Sequence, residues 1–249
     1  MAKKKRKSSL PIICDDLMIE ILSWLPVKSL MRFKCVSKSF HSLISNSDFV
    51  KYHLQRSPKN VSMMSWSSTV TSKGVFRKSY SMALLDNNTS PIIAEDQYHR
   101  IELKRQERFL LSCNGLICFV CEDHIRYWVC LWNPATGLTS QEWPCLQHYY
   151  VNSVLGFGYD VSSDTYKVVA FFHNSTKTHV KVCGLGDNCW RSIESFPALP
   201  NLREGGVYLS STLNWLGDPN FGFFLNINQI VIVSLDLGKE TFRQFIAAS

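Results

Sequence analysis

No stretch of this 249-residue chain reaches the ~18 uninterrupted apolar residues of a membrane-spanning helix, so no such span is expected. The chain does not open on the apolar run and small-residue cleavage site of a secretory signal either. A charged tail leads straight into a helical pattern containing Asp15, Asp16 and Glu20. The expected compartment is therefore the nucleus or the cytoplasm. There the nine cysteines stay reduced, and their odd number among hydrophobic neighbours reads as buried thiols rather than a disulfide framework. By the same reasoning the sequons at Asn60, Asn87, Asn88 and Asn174 are chance matches.

Positive charge is scarce outside one place. The formal net charge is +7, but Lys3, Lys4, Lys5, Arg6 and Lys7 form a single run and leave the body nearly neutral. A nucleic-acid surface would need Lys and Arg spread along a groove or recognition helix, so none is expected. The run itself has the composition of a nuclear import signal or of a solvated tail, and residues 1–9 read as disordered.

Catalytic patterns are also missing: there is no GxSxG, HExxH, P-loop or GxGxxG. Cys118 and Cys121 form a CxxC with Cys113 and Cys130 nearby, but a structural zinc site needs a second paired element. These cysteines sit in strand-like segments that should bury them. His41, His53, His124 and His179 belong to no motif and are expected on surfaces or helix ends. Asp160 and Asp164 flank a turn, where Asp is expected to bond locally to the backbone. No catalytic residue, cofactor or metal is expected.

Hydrophobic residues make up 45% of the chain and aromatics 12%, ample material for a core. From Asp15 to about Arg56 the spacing is helical. Leu17, Ile21, Leu22 and Leu25 recur as on one face, Asp16 is placed to cap the start, and Pro26 ends the helix and opens the next. A second helix carries Leu30, Phe33 and Val36. Ser37 is placed to cap a third with Phe40, Leu43 and Ile44, and a fourth, from Asp48 to Leu54, carries Phe49 and Tyr52. So small a unit cannot bury all of its apolar surface alone, and a partner or the rest of the chain must cover the remainder.

The stretch DDLMIEILSWLPVKSLMRFKCVSKSFHSLISNSDF resembles the F-box of plant F-box proteins, with Glu20-Ile21-Leu22, Leu25-Pro26-Val27-Lys28-Ser29-Leu30 and Cys35-Val36 in register. The resemblance implies a helical module over residues 10–57 that docks a Skp-type adaptor and, through it, cullin and RING subunits. The adaptor-binding positions it implies are Leu17, Ile21, Leu22, Leu25, Pro26 and Leu30. Two departures stand out. Ile13 and Cys14 replace the usual Leu-Pro, which here lies earlier at Leu10 and Pro11, so weaker adaptor binding is expected. Phe40 stands where tryptophan is common.

Beyond residue 57 short apolar and aromatic runs alternate with turn signals at Asn114-Gly115, Asn133-Pro134, Gly156 with Gly158, Gly205-Gly206, and Gly217 through Pro219. Lys167 to Phe172 and Gln229 to Leu235 read as strands. VCGLGDNCW from Val182 and SLDLGKETF from Ser234 align without gaps at an offset of 52, pairing Leu185 with Leu237 and Trp190 with Phe242. Asn133 in LWNPATG and, more weakly, YSMALLD at 80–86 extend the series. A repeat of ~50 residues fits the blade spacing of a kelch-type β-propeller. Most of Trp128, Trp132, Trp190 and Trp215 should be core, with a subset available on loops for recognition.

CNGLICF, LWNPATG, GFGYD, YKVV, CWRSI, GVYLSSTLNWL and SLDLGKETF resemble, in order, the landmarks of the F-box-associated, kelch-like region of the same family. The expected fold is thus α+β and multidomain: a small all-α F-box, then an all-β, kelch-like propeller domain over 58–249. At most four repeats are visible, so an incomplete ring with an exposed strand edge, truncated at its C-terminal side, is expected. What the family implies is a non-catalytic receptor that holds an unknown target protein for ubiquitination. The alternative is an interaction module or decoy with weak or no adaptor binding.

Overall fold

A computed structural model describes residues 14–57, 62–70, 76–84, 101–103, 107–123, 126–147, 153–173, 177–200, 205–218 and 230–246. The basic run, Leu10, Pro11, Ile13, His124 and the four sequon asparagines lie outside the described residues. The chain divides into two compact units, one holding the helices and the other nearly all of the strands.

Four helices follow one another: α1 (Asp15–Ser23), α2 (Val27–Lys34), α3 (Lys38–Ser45) and α4 (Ser47–Arg56). Each contributes one deeply buried apolar side chain, Leu22, Leu30, Ile44 and Phe49, and Met18, Ile19, Leu25, Met31, Phe40 and Leu43 pack around them. Ser37 caps α3 by accepting from the Phe40 amide at 3.2 Å. Asn46 caps α4 through the amides of Asp48 and Phe49 at 2.7 and 3.4 Å. Two expected roles shift by a residue or two. Cys14, not Asp16, is the N-cap of α1 and makes no side-chain capping bond, so Asp15 and Asp16 act from the first turn by charge. Pro26 is the N-cap of α2 rather than its first residue, and its carbonyl accepts from Ser29 and Leu30 at 2.9 and 3.1 Å.

The described strands form four sheets in chain order. The first holds β1 (Ser62–Val70), β2 (Phe76–Leu84) and β3 (Ile101–Leu103). The second holds β4 (Glu107–Cys113), β5 (Leu116–Asp123), β6 (Arg126–Trp132) and β7 (Leu146–Gln147), and the third β8 (Ser153–Asp160), β9 (Thr165–His173), β10 (Thr178–Gly184) and β11 (Arg191–Phe196). In the fourth, β12 (Leu199–Pro200) and β13 (Val207–Leu209) both pair with β14 (Thr212–Asp218), which continues to β15 (Val231–Asp236) and β16 (Thr241–Ile246). These are the up-and-down sheets of propeller blades. Their first strands meet in order, β4 against β8 and β8 against β13.

The repeat maps onto equivalent places. Leu185 and Leu237 each follow a third strand, β10 and β15, and Asn133 follows β6. Of YSMALLD, residues 80–84 lie in β2, and residues 85–86 lie outside the described residues. Adjacent sheets share cores. One core joins Cys118, Val120, Val129 and Leu131 to Leu155, Phe157, Val168, Ala170 and Phe172. The next joins Val169, Phe171, Val180, Val182 and Phe196 to Leu213, Trp215, Val233 and Leu235. β9 therefore contributes to both, which is why it reads as an unbroken apolar run instead of an alternating one.

Asn114-Gly115 forms the expected two-residue hairpin turn, with φ of 51° and 77°. The other described glycines of these signals do not lie in turns, and Pro219 lies outside the described residues. Gly156 and Gly158 lie within β8, and Gly217 lies within β14. Gly206 makes an isolated parallel bridge with Gly156. A Cβ at Gly156 would lie 2.5 Å from the Trp215 ring, and one at Gly206 would lie 2.4 Å from it. The indole occupies the space these two residues leave empty, so the glycines serve close approach.

Candidate interaction surfaces

In the helical unit the six positions expected to bind an adaptor fall into two sets. Leu22 and Leu30 are 2% and 3% exposed and hold the core, with Leu25 partly buried beside them. Leu17 and Ile21 are 50% and 46% exposed, and Pro26 is also exposed. At ~100° per residue, Leu17 and Ile21 lie on one side of α1 and Leu22 about 100° further round. The apolar arc is wider than the core requires, and its surplus remains open. Trp24, 66% exposed, continues that surplus at the i+7 position from Leu17. Phe33 and Val36 add exposed apolar surface at the end of α2.

A polar cluster ties α1 to α4. The Arg56 guanidinium donates to Glu20 Oε1 at 2.5 Å and to the Ser23 hydroxyl at 3.0 Å. Tyr52 donates to Glu20 Oε2 at 2.9 Å, and the Trp24 indole donates to Glu20 Oε1 at 3.3 Å. Arg56 also lies over both rings, 4.9 Å from the centroid of Trp24 and 4.2 Å from that of Tyr52. Hydrogen bonds from Arg56, Tyr52 and Trp24 hold the Glu20 carboxyl down at about 2. His53 is half-buried, not merely at a helix end, and its Nε2 lies 2.8 Å from the Leu25 carbonyl. The expectation of a surface position missed this second tie from α4 to the end of α1.

In the β unit the antiparallel order brings the turns after each first and third strand to one edge of their sheet. These turns carry the exposed Leu138, Val161 and Leu185. Beneath them lies a buried ionic cluster. Lys167 Nζ is 2.8 Å from Asp160 Oδ2, 3.0 Å from Glu240 Oε1 and 2.7 Å from the Leu237 carbonyl. Arg191 donates to both oxygens of Glu240. Asp160 also accepts from the Ser162 amide at 2.9 Å and from the Ser162 and Ser163 hydroxyls at 2.7 and 2.5 Å.

Burial would raise the Asp160 pKa, but bonds from Lys167, Ser163 and Ser162 outweigh it and hold the carboxyl below the usual carboxylate range. Glu240 is lowered chiefly by Arg191. Burial opposes the Lys167 charge, yet Asp160 and Glu240 raise its pKa overall. The local turn bonding expected of Asp160 is present, and it is joined by a pairing with Lys167, which in turn reaches Glu240 of the fourth sheet. The signal was a lysine heading the apolar run VVAFF, with acids in GFGYD and GKETF.

The same seam holds an unusual hairpin. Ser210 and Ser211 connect β13 to β14 with φ of 45° and 64°, a conformation that favours Gly or Asn. Four bonds fix Ser211. Its hydroxyl meets the Tyr159 carbonyl at 3.3 Å and the Val161 amide at 3.0 Å, its amide donates to Tyr208 Oη at 3.3 Å, and its carbonyl accepts from Leu237 at 3.0 Å.

Cys113, Cys118 and Cys183 are buried, and Cys130 is half-buried. Cys118 and Cys121 both lie on β5, and the Cys121 side chain lies outside the described residues. Burial pushes the Cys113 and Cys183 thiols up to about 12, which keeps them protonated packing groups. Among the described residues no group of three or more His, Cys, Asp and Glu side chains is placed to hold a metal ion. Trp132 and Trp215 are buried, whereas Trp128 and Trp190 are half-buried, the latter donating to the Pro144 carbonyl at 2.7 Å. Among the described residues two features stay exposed: an apolar stripe on α1 and a rim of turns on the sheets.

The F-box domain family matches residues 10–52, and the F-box associated beta propeller domain family matches residues 60–249. An F-box/kelch-repeat protein of Arabidopsis thaliana is 32% identical over 92% of this chain and 64% of its own length. A putative F-box protein of the same plant is 30% identical over 97% of this chain and 62% of its own. An F-box/LRR-repeat protein, also from that plant, is 28% identical over 93% of this chain and 54% of its own. The chain thus spans about three fifths of the length of these curated relatives.

Proposed function

This chain belongs to the F-box proteins that carry an F-box-associated β-propeller domain, and from that premise we propose that it is a substrate-recognition subunit of a Skp–cullin–F-box ubiquitin ligase. The helical unit docks a Skp-type adaptor and thereby joins cullin and RING subunits. The β unit holds a target protein at the rim of turns that carries Leu138, Val161 and Leu185. Its contribution to ubiquitin transfer is proximity, which raises the effective concentration of target at the ligase, and it performs no catalysis of its own.

The observation that carries this reading is the exposure of Leu17 and Ile21 on a helix whose core needs are already met by Leu22, Met18 and Ile19. Exposed apolar residues at helical spacing are the anchors by which an amphipathic helix enters a partner's apolar groove. Leu22 and Leu30 support that face from beneath by fixing the helices against one another. No helix among the described residues is long and apolar enough to cross a membrane. The proposed site of action is the nucleus or cytoplasm, where the adaptor must be met. The reading is tested by co-purifying the full chain with a Skp-type adaptor: a stable complex is expected, and its absence would favour an interaction module or decoy that acts without the ligase.

A further inference from the structure

We infer that Trp24 is a third anchor of the adaptor-docking stripe and that the Glu20–Arg56 pair is the device that holds it in place. This inference rests on the docking reading given above. Trp24 stands one residue beyond α1, at the helix C-cap, in the αR conformation that prolongs the helical path. Trp24, Leu17 and Ile21 therefore fall within an arc of roughly 60° on one side of α1. All three are large, apolar and about half exposed or more. Trp24 is the largest and, at 66%, the most exposed of them. Spacing of i, i+4, i+7 is the pattern of a helix that inserts its side chains into a groove.

An exposed tryptophan on a short helix would ordinarily sample several rotamers, and ordering it would cost binding energy. Here the ring is held at its edge and on its face. Its Nε1 donates to Glu20 Oε1 one helical turn back, and the Arg56 guanidinium lies 4.9 Å from the ring centroid. Arg56 comes from the last turn of α4 and is itself fixed by Glu20, by the Ser23 hydroxyl and by the Tyr52 ring. The indole keeps its apolar outer surface open while its polar edge is already satisfied. A partner can therefore cover the ring without stranding its N–H, which is the condition for a tryptophan to act as a binding hot spot. Arg56 is thus a positioning residue, acting on the adaptor through Trp24.

The experiment is a titration of the full chain against a purified Skp-type adaptor, using wild type, Trp24→Ala, Arg56→Met and the double variant, with thermal unfolding recorded for each. The wild type is expected to bind. Trp24→Ala is expected to weaken binding at least about tenfold with unchanged unfolding, because the side chain lies outside the core. Arg56→Met is expected to weaken it about threefold to tenfold, and in the Trp24→Ala background to have almost no further effect. That loss of additivity is what a positioning role predicts and a general structural role does not. Wild-type binding with Trp24→Ala within twofold would overturn the inference and leave the docking reading standing. Equal effects of Arg56→Met in both backgrounds would overturn the positioning role. No binding by the wild type would overturn the docking reading and this inference with it.

Discussion

Lys167 Nζ lies 2.8 Å from Asp160 Oδ2 in a site where Asp160 is 1% exposed, and the Glu240 carboxylate 3.0 Å away adds a partner from the turn between β15 and β16. The third and fourth sheets are therefore joined by charge as well as by their shared apolar core. Breaking one partner of such a pair leaves an uncompensated buried charge.

Lys167→Met removes the cation and leaves Asp160 facing Glu240. The expected loss is about 3–5 kcal/mol, measured as a lower denaturant midpoint followed by tryptophan fluorescence. An unchanged midpoint would show that the cluster is more hydrated than its burial indicates.

Acid should loosen both units, and the sign follows from the direction of each shift. Glu20, Asp160 and Glu240 are all lowered on folding, so their stabilisation is present above the ordinary carboxylate range and is lost as pH falls through the folded values. For Glu20 that window runs from its ordinary 4.5 down to about 2. Lys167 is raised, so its contribution is complete below its ordinary 10.5 and is lost as pH rises through the folded value. Helical ellipticity in the full chain should therefore distinguish Glu20→Gln from wild type near neutrality, and the difference should vanish as pH falls toward 2. A difference that grows on acidification would contradict the assignment.

Val180 and Ile232 test the repeat itself. They are equivalent by the 52-residue offset, and each pairs with the equivalent residue of the next strand, Ile193 and Phe245. Val180 is 1% exposed against the fourth sheet, whereas Ile232, in line with Leu216 and Phe245, is 39% exposed. Val180→Asp should cost more than about 4 kcal/mol or prevent folding, and Ile232→Asp less than about 1 kcal/mol. Equal penalties, read from unfolding curves of the two variants, would mean that both positions are enclosed.

Local chemistry in the sequence reaches much of this architecture. Ser37 could be read as a cap from its position alone, Asn114-Gly115 as a tight hairpin, and Leu185 with Leu237 as one turn repeated. The same local chemistry misleads where a distant partner decides. Gly156 and Gly206 look like turn residues because the Trp215 ring that fills the space beside them comes from another strand. Ser210 and Ser211 carry no hairpin signal, since the bonds that hold Ser211 in a left-handed conformation come from Tyr159, Val161, Tyr208 and Leu237. In the helices, periodicity placed Leu17, Ile21 and Leu22 together, but only the packing of α2, α3 and α4 shows which part of that broad apolar arc is buried. Trp24 is not legible in the sequence for a related reason: its significance depends on Arg56, thirty-odd residues away on another helix.

The central claim is that the exposed side of α1 is what an adaptor holds. Its most direct test is the affinity of the full chain for a Skp-type adaptor before and after Ile21→Asp, a change at a position 46% exposed that spares Leu22 and Leu30. The account predicts binding by wild type and a loss of at least about 2 kcal/mol, roughly 30-fold, in the variant, with the unfolding of the sheets unaltered. Equal affinity of the two proteins, or no affinity in either, would contradict it.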